Sequence, residues 1–290
     1  MNWYIGTAGW SYKDWCGCFY PKGLKGGADY LEYYSQFFNV AEVNATYYAY
    51  LKPGLASEWV KKTSGNPEFL FTVKLHQDFT HLRKYNNENI KAVRNINDIL
   101  AEEGKLGGLL VQFPYSFVKN GESARYVDSL YDLFSDYRLF FEFRNKSWMN
   151  GPQIELSSGV KPNVCAIDQP IIGEALPFTI QPIMQDGYIR LHGRNKLAWE
   201  DSIKKFSQSK QASDPNARYN YYYSPSEMQE IRLKIEKTAE LASGEVFVIF
   251  NNHPFGHAPA NALELKLMLE NIKQEIPMHI LLNFPRLNVC

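Results

Sequence analysis

The chain alternates short apolar runs with segments of helical periodicity along nearly its whole length. Eight runs have the length and composition of strands, at residues 3–6, 40–43, 69–75, 109–113, 139–143, 163–167, 188–191 and 245–250. Strands that are apolar on both faces and alternate with helices are typical of parallel sheets. Eight such units in 290 residues predict a single (β/α)8 TIM-type barrel, one domain over residues 1–290. No Gly-rich dinucleotide motif follows any strand, which argues against a Rossmann fold.

Helical periodicity predicts the intervening helices at residues 29–38, 55–63, 89–103, 122–134, 154–158, 225–241 and 259–272. Ser224 with Glu227 three residues later forms a capping-box pattern at the start of one of them. Residues 194–224 have no regular pattern and end in the aromatic sequence RYNYYYS, so we expect a long loop or lid over the C-terminal face. Residues 278–282 read as a short tail strand or packing segment.

The composition of the chain limits which binding partners and which cellular compartment we expect for the protein. Lys and Arg together number 31, as do Asp and Glu, so no net charge draws the chain to nucleic acid or to anionic lipid. No apolar run approaches the length of about 20 residues that spans a membrane. The N-terminus has no signal-peptide pattern, and four scattered cysteines do not suggest a disulfide framework. We therefore expect a cytoplasmic protein with no membrane partner.

Polar side chains stand at the C-terminal ends of the predicted strands, where TIM barrels carry their sites. The set is Glu42, Asn44, Lys74, His76, Gln112, Glu142, Arg144, Asp168, Arg190, His192, Asn251 and Asn252. We interpret Glu42, Glu142, Asp168 and His192 as candidate acid/base catalysts. The remaining members are candidate substrate-binding residues, and Lys74, Arg144 and Arg190 suit an anionic ligand.

The most constrained pair in this set is Glu142 with Arg144, at the end of the apolar run LFFEF. Two residues apart on a strand, they point to the same face, and burying them is costly unless they have partners. They form either a structural ion pair or the floor of an active site. Asp168 with Arg190 is the second ion pair that we expect.

The motifs leave the cofactor undetermined. No organic-cofactor motif is present, and no Gly-x-Ser-x-Gly elbow supports acyl transfer. The strand ends hold too few imidazoles for a multi-zinc site, while one divalent ion on carboxylates and a His remains open. His253 and His257 are four residues apart, but Pro254 and Gly256 argue against a shared helix face, so we predict loop positions.

Aromatic residues cluster in two places outside the strands. One cluster lies in the first loop, and the other consists of Tyr219, Tyr221, Tyr222 and Tyr223 at the end of residues 194–224. Trp10, Tyr12 and Trp15 lie in the first loop, and large apolar groups there more often cap a barrel than recognise a ligand. Trp10 and Tyr223 are nevertheless included as candidate substrate contacts. If both clusters were exposed, they could stack on nucleic-acid bases.

Seven segments, in order, resemble the YecE-like family, known as domain of unknown function 72. They are IGTAGWSYKDWCGCFYP (5–21), AEVNATYY (41–48), FTVKLHQDFTH (71–81), LGGLLVQFP (106–114), FEFRNKSW (141–148), IRLHGR (189–194) and FNNHPFGHAPANA (250–262). The resemblance implies a TIM barrel with some likeness to endonuclease IV-type barrels, but no established reaction. This sequence lacks the His-rich zinc ligands of those nucleases, and Ala45 stands where the family pattern suggests a serine.

Three functions follow from these patterns. The first is an enzyme, a hydrolase or lyase, that acts on an anionic, phosphate-bearing small molecule or nucleotide by acid/base chemistry. The second is a nucleic-acid binding or nuclease-like barrel, and the third is a non-catalytic scaffold. Replacing Glu142 by Gln separates the first from a purely structural role, since a catalytic Glu142 predicts lost turnover with intact folding. The oligomeric state is left open.

Overall fold

The structure is a computed structural model. It describes residues 3–149, 161–179, 185–209, 216–270 and 275–288, together with positions 156, 159 and 214.

Parallel strands form one sheet that curves into a nearly closed barrel. Nine strands are described: β1 (Trp3–Ala8), β2 (Val40–Val43), β3 (Leu70–Lys74), β4 (Leu106–Gln112), β5 (Leu139–Glu142), β6 (Asn163–Val164), β7 (Ala166–Asp168), β8 (Gly187–Leu191) and β9 (Val246–Phe250). Their order in the sheet is β6-β5-β4-β3-β2-β1-β9-β8-β7, with every pairing parallel. The two edge strands are consecutive in the chain, separated only by Cys165.

The α/β class and the parallel sheet are confirmed, while the strand count differs from the eight expected. The single strand predicted at 163–167 is two short strands, because the chain changes partner at Cys165. β6 pairs with β5, and β7 pairs with β8.

Helices connect the strands around the outside of the sheet. Those described are α1 (Gly27–Tyr34), α2 (Ala45–Tyr48), α3 (Pro53–Lys62), α4 (Gln77–Thr80), α5 (Asn87–Glu102), α6 (Gly121–Phe134), α7 (Lys196–Ser209), α8 (Pro225–Leu241), α9 (His257–Glu270) and α10 (Met278–Asn283). Short 3-10 helices lie at Lys13–Trp15, Lys146–Met149, Ala217–Tyr219, Pro254–Gly256 and Pro285–Asn288. The predicted helix at 154–158 falls outside the described residues except for Leu156.

The prediction of one irregular loop over residues 194–224 was wrong, because this segment contains helix α7 and a 3-10 helix. Residues 278–282, expected as a short tail strand or a packing segment, lie in helix α10 and not in a strand. The sequence pattern did not predict helix α7, because its apolar residues do not form a stripe that faces the core. Leu197 is 79% exposed and Ile203 is 52% exposed. No helix in the described ranges is both long and apolar enough to cross a bilayer.

The core has an inner and an outer part, as alternation along the strands requires. The barrel interior is filled by a cluster that includes Tyr4, Phe140, Tyr188, Phe247 and Ile249, all buried. A larger cluster lies between the strands and the surrounding helices. The interior becomes polar toward the C-terminal strand ends, where the candidate site lies.

The first loop packs against the barrel, as its aromatic content predicts. Trp15 is fully buried, and its indole Nε1 donates to the carbonyl oxygen of His253, 2.7 Å away. Trp10 is also buried, edge-on to Trp59. Both rings are buried against other parts of the protein and are not exposed for base stacking.

At Gly6 the backbone of β1 lies close to that of β2, so we predict that a larger residue cannot be accommodated there without a backbone shift. A Cβ atom there would lie 1.9 Å from the Val40 carbonyl oxygen and 2.8 Å from the Tyr34 hydroxyl. Because backbone must move to admit a methyl group, we expect Gly6→Ala to lower the free energy of unfolding by about 2 kcal/mol or more. Urea unfolding followed by circular dichroism measures this change.

Gly65→Ala is the matched control, since nothing lies within 4 Å of its added Cβ. We expect the free energy of unfolding of that variant to lie within about 0.5 kcal/mol of the parent value, as is usual for substitutions at exposed positions. Equal stabilities for the two variants would contradict the close approach of β1 to β2.

Candidate functional site

A cavity of about 490 Å³ opens at the C-terminal ends of the central strands. Lys74 ends β3 and Gln112 ends β4, while Arg144 follows β5 by two residues. These three predicted residues all line the cavity. Its walls come from the loops after β3, β4 and β7, and from α2, α7 and the 3-10 helix Ala217–Tyr219.

The charged groups that line the cavity are cationic. Lys74, Arg144 and Arg218 contribute their side chains, and His81 adds an imidazole. No carboxylate is among the described residues of the lining. The arrangement therefore favours a ligand with negative charge.

Aromatic rings form much of the remaining wall. They belong to Tyr47, Tyr48, Tyr115, Trp199 and Tyr219, and Tyr48 is 73% exposed. The Arg218 guanidinium lies 5.2 Å from the ring centroid of Trp199 and 5.1 Å from that of Tyr219. Such contacts hold a cation by attraction to the ring faces.

Several donors in the lining lack partners among the described residues. Arg144 has five N–H groups, of which three are engaged, with Glu142, Gln169 and His192. Neither Nε of Arg218 nor Nε1 of Trp199 finds an acceptor in the part of the chain that the structure describes, although both atoms are buried. Buried donors normally have partners, so these atoms are available to a bound acceptor.

A buried ion cluster lies inside the barrel among the strand ends. Arg190 on β8 donates to both oxygens of Glu42 on β2, at 2.9 and 2.6 Å. Its Nη1 donates to Glu142 on β5, at 2.5 Å, and all three side chains are almost completely buried. Tyr188 adds a hydrogen bond to Glu42 at 2.9 Å.

The cluster keeps Glu142 ionised. Burial raises the pKa of this carboxyl group, but the nearby Arg144 and Arg190 guanidiniums outweigh burial and lower the pKa to about 2. Arg144 donates to one Glu142 oxygen and Arg190 to the other. The predicted pair of Glu142 with Arg144 is thus present, as part of a larger group.

Asp168 does not pair with Arg190 as predicted, because the two side chains point to opposite faces of the sheet. Arg190 lies in register with Ile167, and Asp168 with Leu191. Residues in register share a face, so Asp168 points away from the barrel interior. There it accepts hydrogen bonds from Tyr223 at 2.6 Å and from Arg194 at 3.0 Å.

Lys74 is half-buried in the cavity and has no hydrogen-bond or ion-pair partner among the described residues. Its Nζ lies 4.1 Å from the ring centroid of Tyr47. Burial and the positive charge of Arg190 lower the pKa of Lys74 to about 7, against the opposing effect of Glu42 and Glu142. A substantial fraction of this amine is therefore neutral near pH 7.

His81 is a cavity residue that strand-end reasoning missed. It follows the short helix α4, and its Nδ1 lies 2.9 Å from the Thr80 hydroxyl. Burial, together with the charges of Lys74 and Arg144, lowers the pKa of His81 to about 4, so the ring is neutral at pH 7. Its position in the loop after a strand bearing a polar end residue is the sequence signal that could have identified it.

His192 and Asn251 lie together beside Arg144. Arg144 Nη2 donates to His192 Nε2 at 3.0 Å, and the Asn251 amide lies 2.9 Å from Nδ1 of the same ring. Burial and the neighbouring guanidiniums hold the pKa of His192 well below its usual range. Its ring is neutral and both nitrogens are engaged, so it positions Arg144.

The other candidates lie outside the cavity lining. His76 stacks on Tyr50 with centroids 4.0 Å apart. Asn252 donates to the Tyr221 carbonyl oxygen at 2.8 Å. Asn44 precedes helix α2, where its Oδ1 is buried without a partner among the described residues. The remaining members of this group are Trp10 and Tyr223, both buried.

Metal ligands are not grouped in the described ranges, where no three His, Cys, Asp or Glu side chains are placed to hold an ion. His253 stacks on Tyr12 at 4.5 Å, while His257 opens helix α9. Between them lies a 3-10 helix in which Phe255 has a φ of 58°, so the two imidazoles do not share a regular helix face.

Sequence and structure comparisons identify relatives over almost the whole chain. Residues 4–281 match the family model described as protein of unknown function DUF72. The UPF0759 protein YunF of Bacillus subtilis is 30% identical over 285 residues, covering 92% of this chain and 94% of that protein.

Solved structures of the same family share the fold. TM1631, a DUF72 family protein of Thermotoga maritima, is 28% identical with a TM-score of 0.77, covering 93% of this chain and 100% of that one. EF0366, a DUF72 family protein of Enterococcus faecalis, is 25% identical with a TM-score of 0.75, covering 94% of this chain and 97% of that one. The chain therefore belongs to the DUF72 family.

Proposed function

We propose that the protein is an enzyme that acts on an anionic, phosphate-bearing small molecule by acid/base chemistry in the cavity at the barrel mouth. The observation that carries this proposal is the charge of the lining: Lys74, Arg144 and Arg218 line one cavity of about 490 Å³ without a described carboxylate among them. A volume of this size suits a small-molecule ligand.

The position of the cavity supports an enzyme. We infer that β6 and β7 are one interrupted strand, since Cys165 between them donates its backbone N–H to Phe141 at 2.9 Å. The sheet then corresponds to an eight-stranded TIM barrel. Enzymes with that fold carry their active sites at the C-terminal strand ends, the end at which this cavity opens.

Donors without partners support anion recognition. Arg144 is fixed by Glu142, Gln169 and His192 and retains two N–H groups for a ligand. Arg218 and Trp199 each present a buried nitrogen that has no acceptor among the described residues. Guanidinium groups match the oxygen geometry of phosphate, and pre-positioned donors lose little entropy on binding.

The aromatic walls suit a substrate that carries a planar or apolar part beside its anionic group. Tyr47, Tyr48, Tyr115, Trp199 and Tyr219 offer ring faces around the cations. A small phosphate ester with an aromatic group should therefore bind more tightly than inorganic phosphate.

The pKa of Lys74 suits proton transfer at neutral pH better than that of the buried Glu142 does. Lys74, with a pKa near 7, changes charge in the physiological range. Glu42 and Glu142 are engaged by Arg190 and lie beneath the cavity rather than in its lining. We assign them the role of holding the guanidiniums in place.

Arg218→Met tests anion recognition. We expect phenyl phosphate to bind the parent chain more tightly than inorganic phosphate, and the variant to bind it at least about tenfold more weakly, because a charge-assisted hydrogen bond contributes about 1.5–3 kcal/mol. Isothermal titration calorimetry at low salt measures both affinities, and the affinity of the parent chain should fall as salt is added.

Arg232→Met is the matched control, because Arg232 lies on helix α8 in an exposed pair with Glu236 and does not line the cavity. Its phenyl phosphate affinity should equal that of the parent chain. Equal affinities for all three proteins, with circular dichroism confirming that each is folded, would refute the cavity as the anion site.

Glu142→Gln tests the structural role of the ion cluster. The change leaves Arg190 and Arg144 with an uncharged partner in a buried site, so we expect a loss of about 3–5 kcal/mol in the free energy of unfolding at pH 7. Glu142 has a folded-state pKa of about 2, below its ordinary 4.5, so its ionised form stabilises the fold above pH 4.5. The difference between parent and variant should narrow as pH falls from 4.5 toward 2.

Urea unfolding at several pH values provides the measurement. Glu236→Gln removes a carboxylate from an exposed pair, 35% exposed on each side, and should cost no more than about 1 kcal/mol. A Glu142→Gln variant as stable as Glu236→Gln would show that the cluster does not stabilise the barrel.

A further inference from the structure

Burial lowers the pKa of two lysines in the described part of the chain, Lys74 and Lys105, and the two differ in what their amines contact. Lys105 is 7% exposed, and its Nζ donates to the carbonyl oxygens of Asn66 and Pro67, both at 2.9 Å. Lys74 Nζ has no such acceptor among the described residues and faces the Tyr47 ring. The Lys105 amine therefore has hydrogen-bond acceptors within the protein, whereas the Lys74 amine is free to contact a ligand in the cavity.

Charged groups on β2, β5 and β8, and just after β5, act on this amine. Arg190 on β8 and Arg144 after β5 oppose its protonation, and burial acts in the same direction. Glu42 on β2 and Glu142 on β5 favour protonation, but both are bound to guanidiniums. The resulting pKa of about 7 leaves the amine lone pair free in a substantial fraction of molecules at neutral pH.

Neutral imidazoles complete the surroundings. His81 in the cavity wall and His192 behind Arg144 are both uncharged at pH 7, since burial and the nearby cations lower their pKa values. The Tyr47 phenol contacts both Lys74 and His81, and burial raises its pKa to about 12, so it also stays neutral. None of these groups supplies a negative charge that would restore the ammonium form.

We propose that Lys74 is a nucleophile that forms an imine with the carbonyl carbon of a substrate that also carries a phosphate or carboxylate group. The inference rests on the proposed function and deepens it, because Arg144 and Arg218 would hold the anionic group while the carbonyl carbon meets Nζ. A lysine that served only to bind the anion would be redundant beside two guanidiniums, and a buried amine with a depressed pKa is the form that carbonyl chemistry requires.

The covalent step balances as an exchange of carbonyl oxygen for nitrogen. The Nζ lone pair attacks the carbonyl carbon, a C–N bond forms, and the π electrons move to oxygen, which takes a proton. Nitrogen loses one proton, and the hydroxyl group takes up another and departs as water as its C–O bond breaks. The product is a protonated imine, so one amine, one carbonyl compound and one proton give one iminium ion and one water.

We assign His81 the transfer of the proton between nitrogen and oxygen, because it lines the same cavity as Lys74. Its ring lies 5.1 Å from the centroid of Tyr47, the same ring that Lys74 Nζ approaches at 4.1 Å. A neutral imidazole accepts the proton from nitrogen and returns it to the departing hydroxyl group. The iminium ion then withdraws electrons from the adjacent carbon, which eases cleavage of a bond to that carbon and points to a lyase.

Reductive trapping tests the proposal. The full-length protein is incubated at pH 7 with glycolaldehyde phosphate and sodium cyanoborohydride, and peptide mass spectrometry locates the reduced adducts. An ordinary lysine has a pKa near 10.4, so Lys74 has a neutral fraction about a thousandfold larger at this pH. We expect one predominant adduct, on Lys74. Adducts spread over surface lysines without enrichment at Lys74 would overturn the proposal.

The pH profile provides a second readout. The trapping rate at Lys74 should rise with pH, reach half its maximum near pH 7 and level off above it, because the neutral amine is the reacting form. An ordinary lysine should instead continue to react about tenfold faster per pH unit up to about pH 10. A Lys74 profile without a plateau between pH 8 and 9 would contradict the assignment.

Lys74→Arg should abolish the predominant adduct, whereas Lys61→Arg, on the exposed side of helix α3, should leave it unchanged. If Lys74→Arg fails to fold by circular dichroism, Lys74→Met serves the same purpose without adding a charge. An unchanged adduct pattern in a folded Lys74 variant would overturn the proposal.

Uncharged glycolaldehyde separates this inference from the proposed function. If the phosphate group guides binding, Lys74 should react at least about tenfold faster with glycolaldehyde phosphate, and Arg218→Met should remove most of that advantage. Equal rates for the two aldehydes at Lys74 would refute the anion site but retain the reactive amine. Calorimetric binding of phenyl phosphate without any adduct at Lys74 would retain the anion site and refute the imine.

Discussion

The barrel mouth depends on the Arg190 guanidinium, which binds Glu42 and Glu142 inside the barrel. These groups come from β8, β2 and β5, strands that are distant from one another around the sheet. Removing three charges from water is expensive, and the cost is offset only when hydrogen bonds use most of the available donors and acceptors. Tyr188 and Arg144 supply two of those additional bonds. The cluster thus fixes the relative positions of three strand ends.

The same cluster sets the electrostatics of the cavity above it. Because Arg190 occupies both buried carboxylates, Arg144 and Arg218 face the cavity without a described carboxylate in its lining. Burial and the positive charges of Arg190 and Arg144 lower the pKa of Lys74. Unbalanced positive charge at the surface of a cavity also attracts anions. An acidic residue in the lining would oppose both effects. The proposed anion binding and the proposed amine reactivity therefore have a common physical origin in this barrel.

The sequence predicts the parts of the fold whose signals are local. β2 was predicted at its observed residues because the apolar Val40, Ala41 and Val43 lie between polar positions, and α8 because Pro225 follows the Ser224 capping box. The pairing of Asp168 was mispredicted because it depends on register: one residue of offset between β7 and β8 directs Asp168 and Arg190 to opposite faces. Helix α7 was missed because Leu197 and Ile203 are exposed rather than packed on the core. The register between two strands depends on residues far apart in the sequence, so a local pattern does not predict it.

In the candidate site, the residues at strand ends were predicted from the sequence, whereas the residues that connecting segments contribute to the cavity walls were not. Lys74, Gln112 and Arg144 follow from the rule that barrel strands end in functional groups, and all three line the cavity. His81, Trp199 and Arg218 come from connecting segments whose positions the sequence pattern does not specify. The two sets also differ in what they control. Burial and the charges of strand-end groups set the pKa of Lys74, whereas groups on α7 and the 3-10 helix after it shape the cavity wall. A change of wall residues should alter affinity while leaving the pH dependence of the amine in place.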